Sequence, residues 1–282
     1  PSDFARPGHI FPIIAKDGGV LRRSGHTEAS MDLAQLAGFK PSGVLCEIMA
    51  EDGSMLRGKA LSSFAKNHNL NLISISELIA YIRINKNLVE KVEAVRFPTE
   101  YGEFLLHLYQ DKFEDKQHIA LTYGKLSTNE PVLIRVHSEC VTGDIFSSSR
   151  CDCGKQLEYA MKTIVENGSG VIVYLKQEGR GIGLKHKIKA YKLQDEGLDT
   201  VEANQELGFP PDMRDYGTGA QILKDLKISK LRVMTNNPKK LVGLEGHGLK
   251  IEERVKINVS LNKENEKYLK TKAKKLGHII EL

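Results

Sequence analysis

Residues 135–156 read RVHSECVTGDIFSSSRCDCGKQ and hold three of the four cysteines of the chain within fourteen residues. A soft metal ion needs thiolates that converge on one point. Cys151 and Cys153 are one residue apart, so in an extended loop both side chains face the same way, and Cys140 returns to them across the intervening loop. Three thiolates leave one corner of a tetrahedral zinc free for a water molecule, which is typical of a catalytic site.

Two other interpretations of these cysteines stay open. His137 is the nearest candidate for the fourth ligand of a structural zinc, and two of the cysteines would suffice for a disulfide, although that leaves a third thiol unpaired. The charged side chains nearby favour a catalytic zinc, because a structural zinc needs no charged neighbours. These side chains belong to Arg135, Glu139, Asp144 and Arg150.

Length and composition allow two globular domains. The chain has 282 residues, of which 40% are hydrophobic and 27% charged, and this suffices for two cores. No apolar run approaches the roughly 20 residues that span a bilayer, so we expect no membrane partner. Trp is absent and the net charge is only +5, so we expect a small phosphorylated substrate and no nucleic acid. Clustered cysteines indicate metal chemistry in a reducing compartment, which predicts a cytoplasmic protein.

Hydrophobic periodicity predicts two α/β domains, with mixed sheets and flanking helices: residues 1–86, a polar linker over 87–91, and residues 92–282. In the first domain the pattern predicts strands at 43–49 and 70–75 and helices at 31–39, 57–67 and 76–84. In the second it predicts strands at 92–98, 102–109, 119–123, 132–136, 170–175 and 231–235 and helices at 156–165, 185–195, 220–226 and 262–276. The last helix is rich in Lys, and we interpret its charges as a solvated face.

The segment KQEGRGIG at 176–183 follows the predicted strand 170–175. A glycine-rich turn after a strand exposes backbone N–H groups to an anion, and Arg180 adds a charged fork, so a phosphate site is favoured over a purely structural turn. The dinucleotide-binding fingerprint is excluded because its third glycine is missing.

Two further polar loops are candidates for function. PPDMRDYG at 210–217 has a rigid entry and then charged residues. TNNPKK at 235–240 lies at the carboxyl end of a predicted strand, where hydroxyl, amide and ammonium groups suit phosphate capture. An ordinary turn stays an alternative for each loop.

Together these motifs, from about residue 92 to the last residue, resemble GTP cyclohydrolase II. The resemblance implies a hydrolase of riboflavin biosynthesis that removes C8 of guanine as formate and releases pyrophosphate, leaving a diamino-ribosylaminopyrimidinone 5′-phosphate. It also implies a cytoplasmic homodimer, with Mg²⁺ bridging the phosphates of GTP and one zinc ion in each cyclohydrolase domain.

The resemblance assigns roles to individual residues. Zinc is held by Cys140, Cys151 and Cys153. GTP is contacted by Arg135, Val136, His137, Ser138, Glu139, Gln156, Glu178, Gly179, Arg180, Thr200, Thr235 and Lys240. Asp212 is the proton acceptor, Arg214 the nucleophile, and Tyr191 lies near the reacting base. Because a guanidinium group has a pKa above about 12, stabilisation of charge on the α-phosphate is the alternative role for Arg214, which is catalytic in either case.

The segments RPGHIFP at 6–12 and GGVLRRSGHTE at 18–28 resemble the C-terminal part of 3,4-dihydroxy-2-butanone 4-phosphate synthase, a lyase that acts on ribulose 5-phosphate. In this resemblance His26 is a magnesium ligand, and the substrate is bound by Arg23, Ser24, Gly25, Thr27 and Glu47. A polar loop with one hydrogen-bonded histidine is the alternative. The two families are fused in this order in bifunctional riboflavin biosynthesis proteins.

The acidic metal-binding loop of the synthase lies upstream of Pro1, so we expect the first domain to be incomplete and to leave apolar surface uncovered. Mg²⁺ prefers oxygen ligands, and His26 alone does not hold it. The chain is therefore expected to lack synthase activity, and butanone phosphate formation with Mg²⁺ measures this.

Two other functions compete with the cyclohydrolase. A non-catalytic zinc-knuckle protein that binds nucleotide or RNA would hold zinc with four protein ligands and would turn nothing over. A nucleotide deaminase is disfavoured, because no His-x-Glu lies near a Pro-Cys-x-x-Cys. Release of formate from GTP separates the cyclohydrolase from both.

Overall fold

The structure, a computed structural model, describes residues 7–9, 11–258 and 261–280. The chain divides into two compact units between Lys86 and Asn87. None of the helices in these ranges has the length and apolar character that a membrane-spanning segment requires.

The first unit is helical in its described part. A 3₁₀ turn at Gly19–Leu21 precedes the helices α1 (His26–Leu36), α2 (Gly58–Asn67) and α3 (Ile75–Asn85). Helix α3 begins with a capping box, in which the side chains of Ser74 and Glu77 each accept from the other residue's backbone N–H. The small core consists of Val20, Ala29, Leu78 and Ile82.

The two strands predicted for this unit are wrong. Residues 43–48 and 70–74 belong to no strand, and the nearest β-structure is an isolated bridge between Met49 and Met55. The apolar side chains of these segments are exposed, and that of Val44 is 92% exposed. An apolar run forms a strand only beside a hydrogen-bonded neighbour, and no such neighbour lies among the described residues of this unit.

The second unit contains a seven-stranded mixed sheet, which confirms the α/β class. Its strands are β1 (Val89–Pro98), β2 (Glu103–Asp111), β3 (Gln117–Tyr123), β4 (Val132–Ser138), β5 (Gly170–Leu175), β6 (Lys230–Met234) and β7 (Lys250–Val255). The strand order is β1-β2-β3-β5-β4-β6-β7. Strands β1, β2, β3 and β5 pair antiparallel, whereas β5, β4, β6 and β7 pair parallel.

Seven helices accompany this sheet in the described residues: α4 (Val141–Asp144), α5 (Cys153–Glu166), α6 (Gly183–Asp195), α7 (Thr200–Glu206), α8 (Gly217–Asp225), α9 (Pro238–Glu245) and α10 (Glu266–Leu276). The four predicted helices of this unit are confirmed with shifted ends. Periodicity missed α4, α7 and α9 because they are too short to show it, and it missed β7 because that strand is mostly charged.

Alternation along the central strands decides which side chains reach the candidate site. Ile134 and Val136 of β4 belong to the core on one face of the sheet, whereas Leu133 belongs to the core on the other. Since side chains alternate along a strand, Arg135 and His137 lie on the face of Leu133. The parallel strands β4, β5 and β6 end at the same edge, so the three motifs that follow them meet there.

Candidate active site

A cleft with an empty volume of about 1020 Å³ lies at this edge of the sheet. The predicted residues that line it are Arg135, His137, Ser138, Glu139, Cys140, Cys151, Cys153, Gln156, Glu178, Gly179, Arg180, Tyr191, Thr200, Arg214, Thr235 and Lys240. Two of the residues predicted for the site of the second domain do not line it. Val136 lies in the core, with its carbonyl oxygen 2.8 Å from Lys240 Nζ, and Asp212 lies beside Arg214.

The three cysteines converge. Their sulfur atoms all lie within 4.8 Å of one another, and Cys140 Sγ is 3.7 Å from Cys151 Sγ. Two thiolates about 2.3 Å from one tetrahedral zinc lie about 3.8 Å apart, whereas a disulfide bond is about 2.0 Å long. The cysteines are thus free thiols, and their spacing fits a zinc ion.

The backbone closes tightly around these sulfur atoms. A Cβ atom on Gly143 would lie 2.8 Å from Cys151 Sγ and 3.1 Å from Cys140 Sγ. A Cβ atom on Gly154 would lie 2.2 Å from the carbonyl oxygen of Gly143. Glycine at both positions therefore lets α4 and the start of α5 pack against the thiols.

His137 is not placed as a fourth metal ligand. Its Nε2 lies 3.1 Å from both carboxylate oxygens of Asp144, and its ring stacks on Tyr174. Asp144 also accepts from the backbone N–H of Cys140 and from the Tyr174 hydroxyl, each at 2.9 Å. Among the described residues, the cysteines are the only group of three or more His, Cys, Asp or Glu side chains whose ligand atoms converge. The geometry thus favours three protein ligands and an open corner.

Lys187 of α6 supplies a positive charge to the cysteine end of the cleft. Its buried ammonium group donates to Cys140 Sγ at 3.1 Å, to Thr142 Oγ1 at 2.8 Å and to Glu178 Oε1 at 2.8 Å. Hydrogen bonds from the other two thiols, together with Lys187, lower the pKa of Cys140, and the Cys140 thiolate in turn raises the pKa of Cys151 to about 11. These contacts favour the thiolate form of Cys140.

Glu178 connects this end to the glycine-rich turn. Besides Lys187, its carboxylate accepts from the backbone N–H groups of Val141 at 2.6 Å and Gly179 at 2.7 Å. Tyr191 lies nearby, with its hydroxyl 3.1 Å from Thr142 Oγ1. Burial raises the pKa of Tyr191, so its phenol stays protonated at neutral pH.

A second group of cleft residues, called its cationic end, carries positive charge and consists of Arg135, Arg180, Arg214 and Lys240. Arg135 donates to the carbonyl of Met234 at 2.9 Å and to Gln156 Oε1 at 2.6 Å, and burial lowers its pKa to about 10. Burial also lowers the pKa of Lys240, and the nearby positive charges of Arg135 and Arg214 lower it further. These shifts indicate positive charges in need of a negative partner.

Several buried donors in this part of the structure have no hydrogen-bond partner among the described residues. They are Nε of Arg135, both terminal nitrogens of Arg180, the hydroxyl of Tyr216 and the side-chain nitrogen of Asn237. A buried donor without an acceptor costs free energy, and such groups in a native structure call for an explanation. An anion rich in acceptor oxygens, such as a polyphosphate, satisfies donors of this kind together.

The glycine-rich turn holds Arg180 in a strained backbone conformation. Gly179, Arg180 and Gly181 have consecutive φ angles of 63°, 62° and 96°. For a residue with a side chain this left-handed conformation costs about 1 kcal/mol and is found mainly at functional sites. The carbonyl of Arg180 accepts from the backbone N–H of Met213 at 3.0 Å, which ties the turn to the loop at 210–217.

Asp212 and Arg214 form a two-pronged ion pair. Arg214 donates through Nε to Oδ1 at 2.8 Å and through Nη2 to Oδ2 at 2.6 Å. Burial opposes ionisation of Asp212, but the hydrogen bonds from Arg214 outweigh it, so the pKa of Asp212 lies below its ordinary value. Paired in this way, Asp212 is a weak base.

Family comparisons agree with this geometry. The family model for GTP cyclohydrolase II matches residues 90–256, and that for 3,4-dihydroxy-2-butanone 4-phosphate synthase matches residues 1–81. The chain belongs to the GTP cyclohydrolase II family. It carries this domain together with a 3,4-dihydroxy-2-butanone 4-phosphate synthase segment, as in riboflavin biosynthesis proteins of the RibBA type. The alternative of a non-catalytic zinc-knuckle protein is not supported.

Individual relatives extend over the whole chain. The riboflavin biosynthesis protein RibBA of Bacillus cytotoxicus is 58% identical over 281 residues, which are 100% of this chain and 71% of the relative. RibBA of Aquifex aeolicus is 57% identical and matches 99% of this chain and 69% of its own length. The crystal structure of RibBX, a two-domain 3,4-dihydroxy-2-butanone 4-phosphate synthase from A. baumannii, superposes with a TM-score of 0.55 at 31% identity. That match covers 90% of this chain and 66% of the RibBX chain.

The predicted synthase residues lie around the start of α1. Gly25 is the N-cap of this helix, His26 is its first residue and Thr27 its second. Arg23 pairs with Glu28 at 3.0 Å. Glu47 is exposed and lies outside any helix or strand, and Ser24 directly precedes the N-cap.

Several residues that line the GTP cyclohydrolase II cleft were not predicted from the sequence: Lys187, Asn204, Tyr268, Lys272 and His278. The interpretation of the last helix as a solvated face is wrong for Lys272, which is only 7% exposed. One side of α10 is buried, and a helix rich in Lys gives little sign of which ammonium group turns inward.

Proposed function

We propose that the chain is a zinc-dependent GTP cyclohydrolase II, which hydrolyses GTP to formate, pyrophosphate and a diamino-ribosylaminopyrimidinone 5′-phosphate. The observation that carries this proposal is the cleft itself, which has three converging thiols at one end and unpartnered buried donors at the other. Cys140, Cys151 and Cys153 would hold the zinc, which when bound supplies an activated water for attack at C8 of guanine.

The cationic end is proposed to bind the triphosphate. Arg135, Arg180 and Lys240 supply positive charge, and Thr235 supplies a hydroxyl at the end of β6. Their pairing with phosphate oxygens satisfies donors that the protein leaves without acceptors. This fixes the direction of GTP in the cleft, with the guanine towards the cysteines and Tyr191 beside the reacting base. Val136 and Asp212 do not line the cleft. The proposed role of Val136 therefore depends on its backbone oxygen, and that of Asp212 depends on its partner Arg214.

The Asp212–Arg214 pair suggests how binding and proton transfer are connected. When Arg214 turns to the α-phosphate, Asp212 loses the hydrogen bonds that hold its pKa down. Its carboxylate then becomes a stronger base and is able to take a proton. Arg214 stabilises charge as pyrophosphate leaves, a role that suits a permanently charged guanidinium better than nucleophilic attack does.

The remaining parts of the proposal rest on the family resemblance. They are a domain boundary in the linker at 87–91, Mg²⁺ beside the phosphates, a homodimer, and a cytoplasmic location, which suits free thiols. In the first unit, His26 is proposed to belong to a vestigial magnesium site, and Arg23, Ser24, Gly25, Thr27 and Glu47 to a vestigial site for ribulose 5-phosphate.

A pair of cysteine variants tests the proposed activity. Cys151→Ser removes one thiolate, so we expect loss of bound zinc and a fall in formate release from GTP of about 10³-fold or more. Cys46→Ser is the matched control, because Cys46 is an exposed free cysteine of the first unit. Zinc content by atomic absorption and formate release are measured on the same samples. Full activity of Cys151→Ser, or no formate from the unaltered protein, contradicts the proposal.

A further inference from the structure

Helix α10 (Glu266–Leu276) lies beyond residues 90–256, the segment that the GTP cyclohydrolase II family model matches. It nevertheless forms part of the cleft wall through Tyr268 and Lys272. Leu269 and Leu276 are buried, so this side of the helix packs into the second unit. The helix is therefore placed to act on the candidate site.

Lys272 reaches from α10 to the segment that carries two of the cysteines. Its ammonium group lies 2.7 Å from Oδ1 of Asp152, the residue between Cys151 and Cys153. The side chains of both partners are buried, with exposed fractions of 9% for Lys272 and 1% for Asp152. An ion pair removed from water to this extent is costly to break, because the remaining charge has no solvent to stabilise it.

Asp152 connects Lys272 to Arg135 of the cationic end. Its Oδ2 accepts from Nε2 of Gln156 at 2.6 Å, and Oε1 of Gln156 accepts from Nη2 of Arg135 at 2.6 Å. A continuous series of contacts thus joins Lys272, Asp152, Gln156 and Arg135. This series, together with the hydrogen bond from Arg135 Nη1 to the carbonyl of Met234 at 2.9 Å, fixes the direction of the Arg135 guanidinium group, whose Nε has no partner among the described side chains and backbone groups.

Helix α10 is itself held firmly in place. Lys275 pairs with Glu202 at 2.9 Å and also with Asp199, the N-cap of α7. After the helix, the backbone N–H of Ile279 donates to the carbonyl of Asn236 at 2.9 Å, next to Thr235 in the cleft wall. Because the chain is held at both positions, the backbone at Lys272 is fixed in place.

We propose that Lys272 is a positioning residue for the bound polyphosphate, which it serves by holding Asp152, and through it Gln156 and Arg135, in the binding arrangement. Without Lys272 the Asp152 carboxylate lacks its cation and competes with phosphate for Arg135. The identity of the ligand as GTP rests on the proposed function, whereas the series of contacts does not.

Inorganic pyrophosphate is the probe, and its binding to the zinc-loaded full chain is measured by calorimetry. Lys272→Met keeps the length of the side chain and removes the charge, and we expect its Kd for pyrophosphate to rise about tenfold. Lys272→Arg should restore most of the affinity. Lys274→Met, at an exposed position of the same helix, is the matched control and should bind as the unaltered chain does. An equal loss in Lys274→Met, or a Kd of Lys272→Met equal to that of the unaltered chain, overturns the proposal.

A double-mutant cycle decides whether Lys272 acts through Asp152. In an Asp152→Asn background, Lys272→Met should weaken pyrophosphate binding less than about threefold, because the carboxylate that it restrains is already neutral. A full tenfold loss in that background would mean that Lys272 acts directly on the ligand, and the positioning role would be wrong. With GTP, we expect the KM of Lys272→Met to rise while kcat changes little. If the unaltered chain releases no formate, the proposed function fails, but the pyrophosphate measurements still decide the role of Lys272.

Discussion

The two ends of the cleft differ in how the protein satisfies its own polar groups. At the cysteine end, Lys187 has three partners, and Glu178 accepts from Lys187 and from two backbone N–H groups. At the cationic end, both terminal nitrogens of Arg180 lack a hydrogen-bond partner in the described part of the chain. Lys187 and Glu178 are thus organised before any ligand arrives, whereas Arg180 keeps buried donors that an anion would satisfy.

This difference has a physical cause. A zinc site must fix sulfur atoms within tenths of an ångström, so its surroundings are held by hydrogen bonds of the protein. A phosphate site gains binding energy from donors and charges that have no other partner. Leaving those groups unpaired should lower the free energy of unfolding of the ligand-free protein.

The strongest test of the comparison is Lys240→Met. The buried Lys240 ammonium group lies among like charges, so its removal should weaken pyrophosphate binding about 100-fold and yet stabilise the ligand-free protein by about 1 kcal/mol. Calorimetry and urea unfolding measure the two effects. Lys239→Met changes the exposed neighbour in the same way and should alter neither quantity. A less stable Lys240→Met protein would break the comparison.

Gly143→Ala tests the zinc affinity of the cysteine end of the cleft. The added methyl group would lie 2.8 Å from Cys151 Sγ, so we expect the affinity for zinc to fall about tenfold. Pyrophosphate binding at saturating zinc should stay the same. A competitive chelator titration measures the zinc affinity. Gly246→Ala is the control, because its added methyl group would come no closer than 3.4 Å to another atom. Equal losses of zinc affinity in both variants would show that Gly143 has no special role.

Tyr216→Phe sharpens the comparison with a smaller effect. Burial raises the pKa of Tyr216 to about 12, against about 10 in an unfolded chain. The folded state therefore favours the neutral phenol, and this contribution is present below pH about 10 and lost as the pH rises towards about 12.

We expect the unaltered protein to lose about 1 kcal/mol more than Tyr216→Phe between pH about 9 and about 11. The free energy of unfolding is measured with urea across this range. Parallel pH profiles of the two proteins would show that the Tyr216 hydroxyl is not confined as the structure places it.

The sequence allowed prediction of those parts of the site whose residues are close in the chain. Cys151 and Cys153 flank a single residue, and the motif at 235–240 directly follows a strand that periodicity predicts. The parallel central strands then bring these motifs together at one edge, as expected for an open α/β sheet.

Contacts between distant parts of the chain left no such signal. Lys187 is 47 residues from Cys140, and Lys272 is 120 residues from Asp152. In the sequence each is one of several charged residues on an amphipathic helix, and only the packing of the helix shows that its side chain is buried. The strands predicted at 43–49 and 70–75 failed for a related reason, because apolar character alone does not supply a pairing partner.

The tripeptide Cys151-Asp152-Cys153 is engaged from two directions, since its sulfur atoms face Cys140 while the carboxylate between them faces Lys272 and Gln156. A movement of the tripeptide that improves the contacts of its sulfur atoms must therefore also change the contacts of the Asp152 carboxylate. Occupancy by the metal and occupancy by the polyphosphate are therefore thermodynamically linked, and such linkage is reciprocal. Zinc should change the affinity for pyrophosphate by the same factor by which pyrophosphate changes the affinity for zinc.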